Sequence, residues 1–318
     1  MVVVGGLFSA VAGANDGSSV LSAGLQVPGF RPLVSLAVLV TAVVAGPWLL
    51  FGTGVATTLA HRLVPFSGAT ADQALLAATV SAMVVVFCLV RSGLPTSLTL
   101  ALVGAVPGAG LGAGLPVSGG EVAEILLLGL AAPLVSAVLA FAAVPLALRV
   151  AAGARARQRL IGWHRAAFCL QCLAYSANGG QKMVAVLAVA AGAASGGVVR
   201  DPWWLAMSVG ALFGLGVLSG IRDVSAKLGK GVLAVHLRHA VVAETCSFAV
   251  VMGAGLAGVP LTMSQSVAGA LVGAGTREAR TKVRWLAVTR MAGAWAVTLP
   301  VSVGAAALAG ALARGVRL

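Results

Sequence analysis

Two short polar stretches, "GANDG" at 13–17 and "YSANGGQK" at 175–182, interrupt long apolar runs and carry side chains able to do chemistry. In hydrocarbon every backbone polar group needs a partner, so a Gly-rich polar break persists only where it is buried in protein or lines a watery cavity. An unwound turn exposes carbonyls that can hold a cation. It also leaves N–H groups at the next half-helix, where the helix dipole favours an anion. A kink with a hydrogen-bonded Asn would account for Asn15 and Asn178 alone. Asp16 asks for more, because an ionised carboxylate inside a membrane is expensive without a partner. Lys182 can counter Asp16 or a substrate, or it can snorkel from a helix end.

A second constellation is "PTSLT" at 95–99 and "PLTMSQS" at 260–266. A Pro followed by hydroxyl residues suits the N-terminus of a half-helix. Ser97, Thr99, Thr262 and Ser264 place hydroxyls beside the unpaired N–H groups there. Two such termini facing each other would make a cage of donors without fixed positive charge, suited to a tetrahedral oxyanion. Packing of small residues between helices is the plainer reading of either stretch alone.

These residues must be positioned by membrane helices. Of 318 residues, 59% are hydrophobic and 9% charged, with a mean hydropathy of +1.03, against about 25% charged in a soluble domain. Apolar runs of about 20 residues, long enough for a bilayer core, predict an all-α polytopic membrane protein; a transmembrane barrel would need short alternating segments. About ten membrane segments are expected, with cores at 2–24, 33–60, 72–90, 94–115, 122–148, 166–190, 203–221, 232–257, 260–275 and 285–312. Gly and Pro predict that the second, fourth and ninth are broken or re-entrant. The first run lacks a basic flank and reads as a retained membrane segment rather than a signal peptide. A formal charge of +13 belongs to cytoplasmic loops rather than to nucleic-acid binding.

The chain repeats itself. Residues 93–110, "GLPTSLTLALVGAVPGAG", align with 258–275, "GVPLTMSQSVAGALVGAG", at an offset of 165, and Asn15 aligns with Asn178 at 163. This predicts a tandem duplication: a first repeat over 1–148, a basic linker over 149–165 and a second repeat over 166–318. An odd number of crossings in each half makes the repeats inverted, an arrangement common in secondary transporters. With ten crossings, Arg31, Arg91, Arg149, Arg155, Arg157, Arg159, Arg165, Arg222, Lys227, Lys230, Arg277, Arg280, Lys282 and Arg284 fall in odd-numbered loops. Only Arg62, Arg200, Arg314 and Arg317 fall in even loops or the C-terminus. The bias places the central loop in the cytoplasm and both termini outside.

"GANDG", "YSANGGQK", "GLPTSLTLALVGA" and "GVPLTMSQSVAGALVGAG" resemble the inorganic phosphate transporter (PiT) family, whose signatures are a GAND and a P-x-S-T-T-H motif in each half. "RTKVRWLAVTRMAGAWAVTLP" and the surroundings of Glu244, "HAVVAETCSFAVV", are similar to that family too. The resemblance implies cation-coupled phosphate uptake by alternating access, with phosphate and ions bound where the repeated motifs meet. It implies oxyanion binding by Asn15, Ser97, Thr99, Asn178, Thr262 and Ser264. The coupling ion, Na⁺ or H⁺, falls to Asp16, Asn15, Asn178 and Glu244, with Lys182 as charge partner. The chain departs from the pattern. Gly179 stands in the place of the second Asp and Ser176 in that of Gly. Leu98 and Met263 replace the central Thr, and Leu100 and Gln265 replace the His.

Loss of one of two symmetry-related carboxylates removes a cation ligand or proton acceptor. Phosphate near neutral pH carries a proton and sulfate does not, so sulfate or another small oxyanion is an alternative cargo. A channel, or a transport-dead paralogue with a regulatory role, is the alternative class. Glu244 could serve as proton carrier, or pair structurally with Arg238 or Arg290. His61, His164, His236 and His239 lie near segment ends without metal-ligand spacing. Cys88, Cys169, Cys172 and Cys246 read as buried helical thiols. No nucleophile–base–orienter set or nucleotide-binding loop is present, so neither enzyme activity nor an organic cofactor is expected. The partners expected are the oxyanion, the bilayer and a second copy in a homodimer.

Overall fold

The computed structural model describes residues 2–25, 31–47, 54–64, 69–92, 96–190, 194–195, 198–199, 203–228 and 237–315. Long apolar runs produce helix almost throughout the described residues, despite 42 glycines and 12 prolines in the chain. The elements are α1 (Val2–Ala12), α2 (Ser18–Leu25), α3 (Pro32–Gly46), α4 (Gly54–Thr57), α5 (Ala69–Arg91), α6 (Leu98–Ala113) and α7 (Gly119–Val150). They continue with α8 (Ala156–Tyr175), α9 (Gln181–Ala190), α10 (Trp203–Leu228), α11 (Leu237–Leu256), α12 (Met263–Glu278) and α13 (Trp285–Gly315). The fold is all-helical as expected, with a two-residue antiparallel contact, β1 (Ala194–Ser195) with β2 (Val198–Val199), between α9 and α10.

Among the described residues, five helical stretches are long and apolar enough to cross a membrane: Asp72–Arg91, Gly119–Val150, Trp203–Gly220, Leu237–Leu256 and Trp285–Gly315. Leu127, Leu134 and Val138 on α7, and Leu308 and Leu312 on α13, lie exposed, as a lipid-facing surface requires. The protein is a multi-pass helical membrane protein.

Several boundaries differ from expectation. The basic stretch 149–165 is mostly helix, because α7 runs to Val150 and α8 begins at Ala156; Arg and Gln are good helix formers and nothing in 156–165 stops a helix. The fourth and ninth segments are continuous through their glycines. They are short instead: α6 and α12 have 16 residues each, about 24 Å at 1.5 Å per residue, against a core of roughly 30 Å. Pro107 is accommodated within α6. The second segment is seen as α3, α4 and a π-helical turn, Thr58–Arg62, with 48–53 outside the described residues.

Corresponding helices exchange partners between the halves. α6 packs on α13 and α12 on α7, while α3 packs on α8 and α10 on α1. The repeated glycines explain the closeness. A Cβ on Gly108 would stand 2.4 Å from the Val303 carbonyl oxygen, and one on Gly273 would stand 1.9 Å from that of Ala137. Backbone meets backbone at both crossings, the contact that small residues permit between membrane helices.

Candidate functional site

The polar breaks do not unwind. Gly13–Gly17 and Ser176–Gly180 each form a five-residue π-helical turn, joining α1 to α2 and α8 to α9 as continuous helical rods. A π turn spoils the regular i→i−4 ladder and is often found at functional sites. In the first turn serines accept the task of pairing: Ser19 Oγ donates to the Asn15 carbonyl at 2.7 Å, and Ser18 Oγ donates to that of Ala14. Gly13 lies against α10, where a Cβ would fall 2.1 Å from the Phe213 carbonyl oxygen. The expected free carbonyls are therefore largely occupied, and the side chains carry the chemistry.

The two hydroxyl motifs meet. Ser97 caps α6, accepting from the Leu100 N–H at 3.3 Å, and Thr262 occupies the cap position of α12. Their hydroxyls are 3.0 Å apart and buried. Two helix N-termini thus converge, each presenting the positive end of its dipole. Such a convergence of donors favours a bound anion.

The second motif braces this junction. After α11, Gly258 takes a left-handed φ of 73° and the chain runs through Val259–Thr262 to α12. Asn178 clasps that strand-like segment from both sides, donating from Nδ2 to the Val259 carbonyl at 2.8 Å and accepting at Oδ1 from the Leu261 N–H at 3.0 Å. Lys182 reaches across from α9, donating to the Leu261 carbonyl at 2.7 Å and to Thr99 Oγ1 at 2.8 Å. Gln181 Oε1 accepts from the Val55 N–H at 2.7 Å and so ties α9 to α4. Asn15 behaves differently from its counterpart, donating to Asp16 Oδ1 at 2.9 Å.

Asp16, Thr99, Tyr175, Gly179 and Lys182 surround one cavity, closed on its apolar side by Phe8, Ala12, Leu98 and Met183. Its volume is about 10 Å³, roughly what one water needs. Asp16 and Lys182 face this space without forming a direct ion pair. A second small cavity, of about 20 Å³, lies on the other side of Thr99 against Thr262 and Gln265.

Asn15, Asp16, Ser97, Thr99, Asn178, Lys182 and Thr262 are therefore gathered at one junction. Ser264 is half-buried and lines neither cavity. Glu244 lies apart: its Oε2 is 2.8 Å from His164 Nδ1, and His164 Nε2 meets the Gly24 carbonyl at 3.0 Å. Neither Arg238 nor Arg290 is its partner. Arg238 and His239 instead share Glu278, and His164 is buried within the helix bundle rather than at a segment end. His236 lies outside the described residues. Tyr175 was not anticipated, although it is the chain's one tyrosine and adjoins the second motif.

The phosphate transporter family model matches residues 153–306. A probable low-affinity inorganic phosphate transporter of Mycobacterium bovis is 27% identical over 311 residues, covering 95% of this chain and 74% of that protein. A Bacillus subtilis protein with the same description is 23% identical over 313 residues, covering 95% and 92%. One from Rhizobium meliloti is 26% identical over 278 residues, covering 83% and 80%. Among solved structures, the sodium-dependent phosphate transporter superposes with a TM-score of 0.83 at 16% identity, covering 100% of this chain and 98% of that one. That likeness establishes the shared fold. Together with the family match over 153–306 and the two sets of repeated motifs, it makes this chain similar to the phosphate transporter family along most of its length.

Proposed function

We propose that the chain carries inorganic phosphate across the membrane as a cation-coupled symporter, driven by Na⁺ or H⁺ and working by alternating access. The observation that carries the reading is the cavity shared by Asp16, Thr99 and Lys182, beside the meeting caps Ser97 and Thr262. Hydroxyls and helix N-termini there suit an oxyanion, and Asp16 suits a cation. The names of the relatives support phosphate as cargo. Asp16, with Asn15 and Asn178 beside it, is the coupling centre in this reading. Ser97, Thr99 and Thr262 are the oxyanion donors.

Residues 1–148 and 166–318 are taken as two inverted repeats that rock about this junction. The exchange of helix partners supports that reading, as do the matched glycine crossings. Exposed Arg149, Arg155, Arg157 and Arg159 between the repeats favour a cytoplasmic centre and outward termini.

One observation favours a second cargo. Gly179 leaves the cavity with a single carboxylate, so a fully deprotonated oxyanion such as sulfate also fits. Labelled-phosphate uptake into proteoliposomes, under imposed Na⁺ or H⁺ gradients with excess cold sulfate, separates the cases. Gradient-driven phosphate accumulation that sulfate leaves intact is the expected result. Sulfate uptake without phosphate uptake would change the cargo. Silence with both anions, in vesicles that pass reconstitution controls, would leave a transport-dead paralogue.

A further inference from the structure

The place of the missing carboxylate is not empty. A Cβ on Gly179 would stand 2.7 Å from Tyr175 Cζ and 2.8 Å from Cε2, so the phenol ring occupies the room that a side chain at 179 would need. The ring is held from behind by Phe213, with centroids 5.5 Å apart and planes inclined at 31°. Tyr175 is 3% exposed, and its hydroxyl is buried without a hydrogen-bond partner among the described residues. Leaving a buried hydroxyl unpaired costs about 1–3 kcal/mol, so an orphan phenol lining this cavity needs a reason. Its companions there are Asp16, Thr99 and Lys182.

Charge counting supplies the reason. The cavity holds one carboxylate and one ammonium, which offset each other, so an arriving anion depends on neutral donors. Lys182 commits two of its three N–H groups to Thr99 and Leu261. A phenol O–H is a good donor to an anionic oxygen and cannot ligate a cation as a carboxylate does.

We propose that Tyr175 is a substrate-contacting residue whose hydroxyl donates to the oxyanion, so that Tyr175 and Gly179 together turn a second cation-binding position into an anion-binding one. The proposal rests on the reading of this cavity as the oxyanion site. The second repeat contributes a donor where the first contributes Asp16, and the two halves of the site become chemically unequal. A side chain at 179 would require the Tyr175 ring to move.

The test is Tyr175→Phe, which keeps the ring against Gly179 and Phe213 and removes only the hydroxyl. Uptake of labelled phosphate and labelled sulfate is measured in proteoliposomes, with anion-dependent thermal stabilisation of the purified protein as a second readout. Loss of one hydrogen bond to a charged ligand should raise KM for the transported anion about tenfold, with the maximal rate changed far less. Stabilisation by that anion should weaken in parallel. An unchanged KM and unchanged stabilisation would overturn the role of Tyr175 while leaving the transporter reading in place. Wild-type protein that responds to sulfate and not phosphate would overturn the phosphate reading, and Tyr175→Phe would then be judged on sulfate. Wild-type protein that neither carries nor is stabilised by either anion would overturn both.

Discussion

Ser97 and Thr262, separated by 165 residues, touch through their hydroxyls at 3.0 Å. That separation is also the offset of the internal sequence repeat, so the contact joins two residues that align with each other in the repeat. Each residue stands at the N-cap position of a helix, and the Ser97 hydroxyl also accepts from the Leu100 N–H. Two helix N-termini therefore meet at this contact, and in the proposed function they face one oxyanion.

Because the two hydroxyls share one hydrogen bond and one proposed ligand, their contributions should not be independent. Ser97→Ala and Thr262→Ala should each raise KM for phosphate, by about tenfold if a charged-ligand hydrogen bond is lost. The double variant should fall short of the product, with a coupling of about 0.5 kcal/mol or more. Strictly multiplicative effects in an uptake cycle would mean that the pair does not act on a common substrate.

Asp16 and Lys182 should also behave as one unit. Asp16→Asn preserves an oxygen for the Asn15 amide, so the protein should fold. It also leaves Lys182 as the cavity's one fixed charge. An amide in place of the carboxylate neither binds a cation as a charge nor accepts a proton, so gradient-driven uptake should fall by about a hundredfold or more. Lys182→Met removes the donors to Thr99 and Leu261 as well and should lower folded yield. Adding Asp16→Asn to Lys182→Met should recover yield without recovering transport. Near-wild-type uptake by Asp16→Asn would remove Asp16 from the coupling centre.

The matched glycines give a prediction about folding alone. Gly108→Ala and Gly273→Ala each drive a methyl into a neighbouring carbonyl, at 2.4 and 1.9 Å respectively. Both should sharply reduce monodisperse protein on size exclusion. Gly129→Ala, on an open face of α7 where a Cβ meets nothing within 4 Å, should be tolerated. Equal recovery of all three would show that the helices separate at little cost.

Much of this arrangement was legible in the chain because duplication writes the same constraint twice. Gly104/Gly269 and Gly108/Gly273 repeat since both crossings are backbone contacts, and Ser97/Thr262 repeat since both are caps. Helix was legible from apolar composition. What the sequence hid depends on distance in three dimensions. The breaks read as unwound turns, because Gly-rich polar sequence suits unwinding and π turns alike. Tyr175 gained meaning only once its ring was seen over Gly179. Charge alone suggests Arg238 or Arg290 as the partner of Glu244. His164 is 80 residues away and reaches it only through the packing of α8 on α11.

That last contact separates a structural bolt from a coupling carrier. His164 Nε2 faces a carbonyl and must donate to it, so one further proton must lie between Nδ1 and Glu244 Oε2 for the 2.8 Å contact to be favourable. The pair thus binds α8 to α11 and to Gly24, outside the Asp16 cavity. Glu244→Ala leaves the histidine without its partner and should cost roughly 3–5 kcal/mol of stability. Replacing both, His164→Leu with Glu244→Leu, should recover much of that loss, since buried ion pairs are often replaceable by apolar neighbours. The deciding readout is gradient dependence rather than yield. A bolt predicts that the double variant, once folded, still couples phosphate uptake to the same ion as the wild type. If the double variant folds and uptake no longer follows the gradient, the coupling proton or cation passes through Glu244 and the site extends beyond the Asp16 cavity.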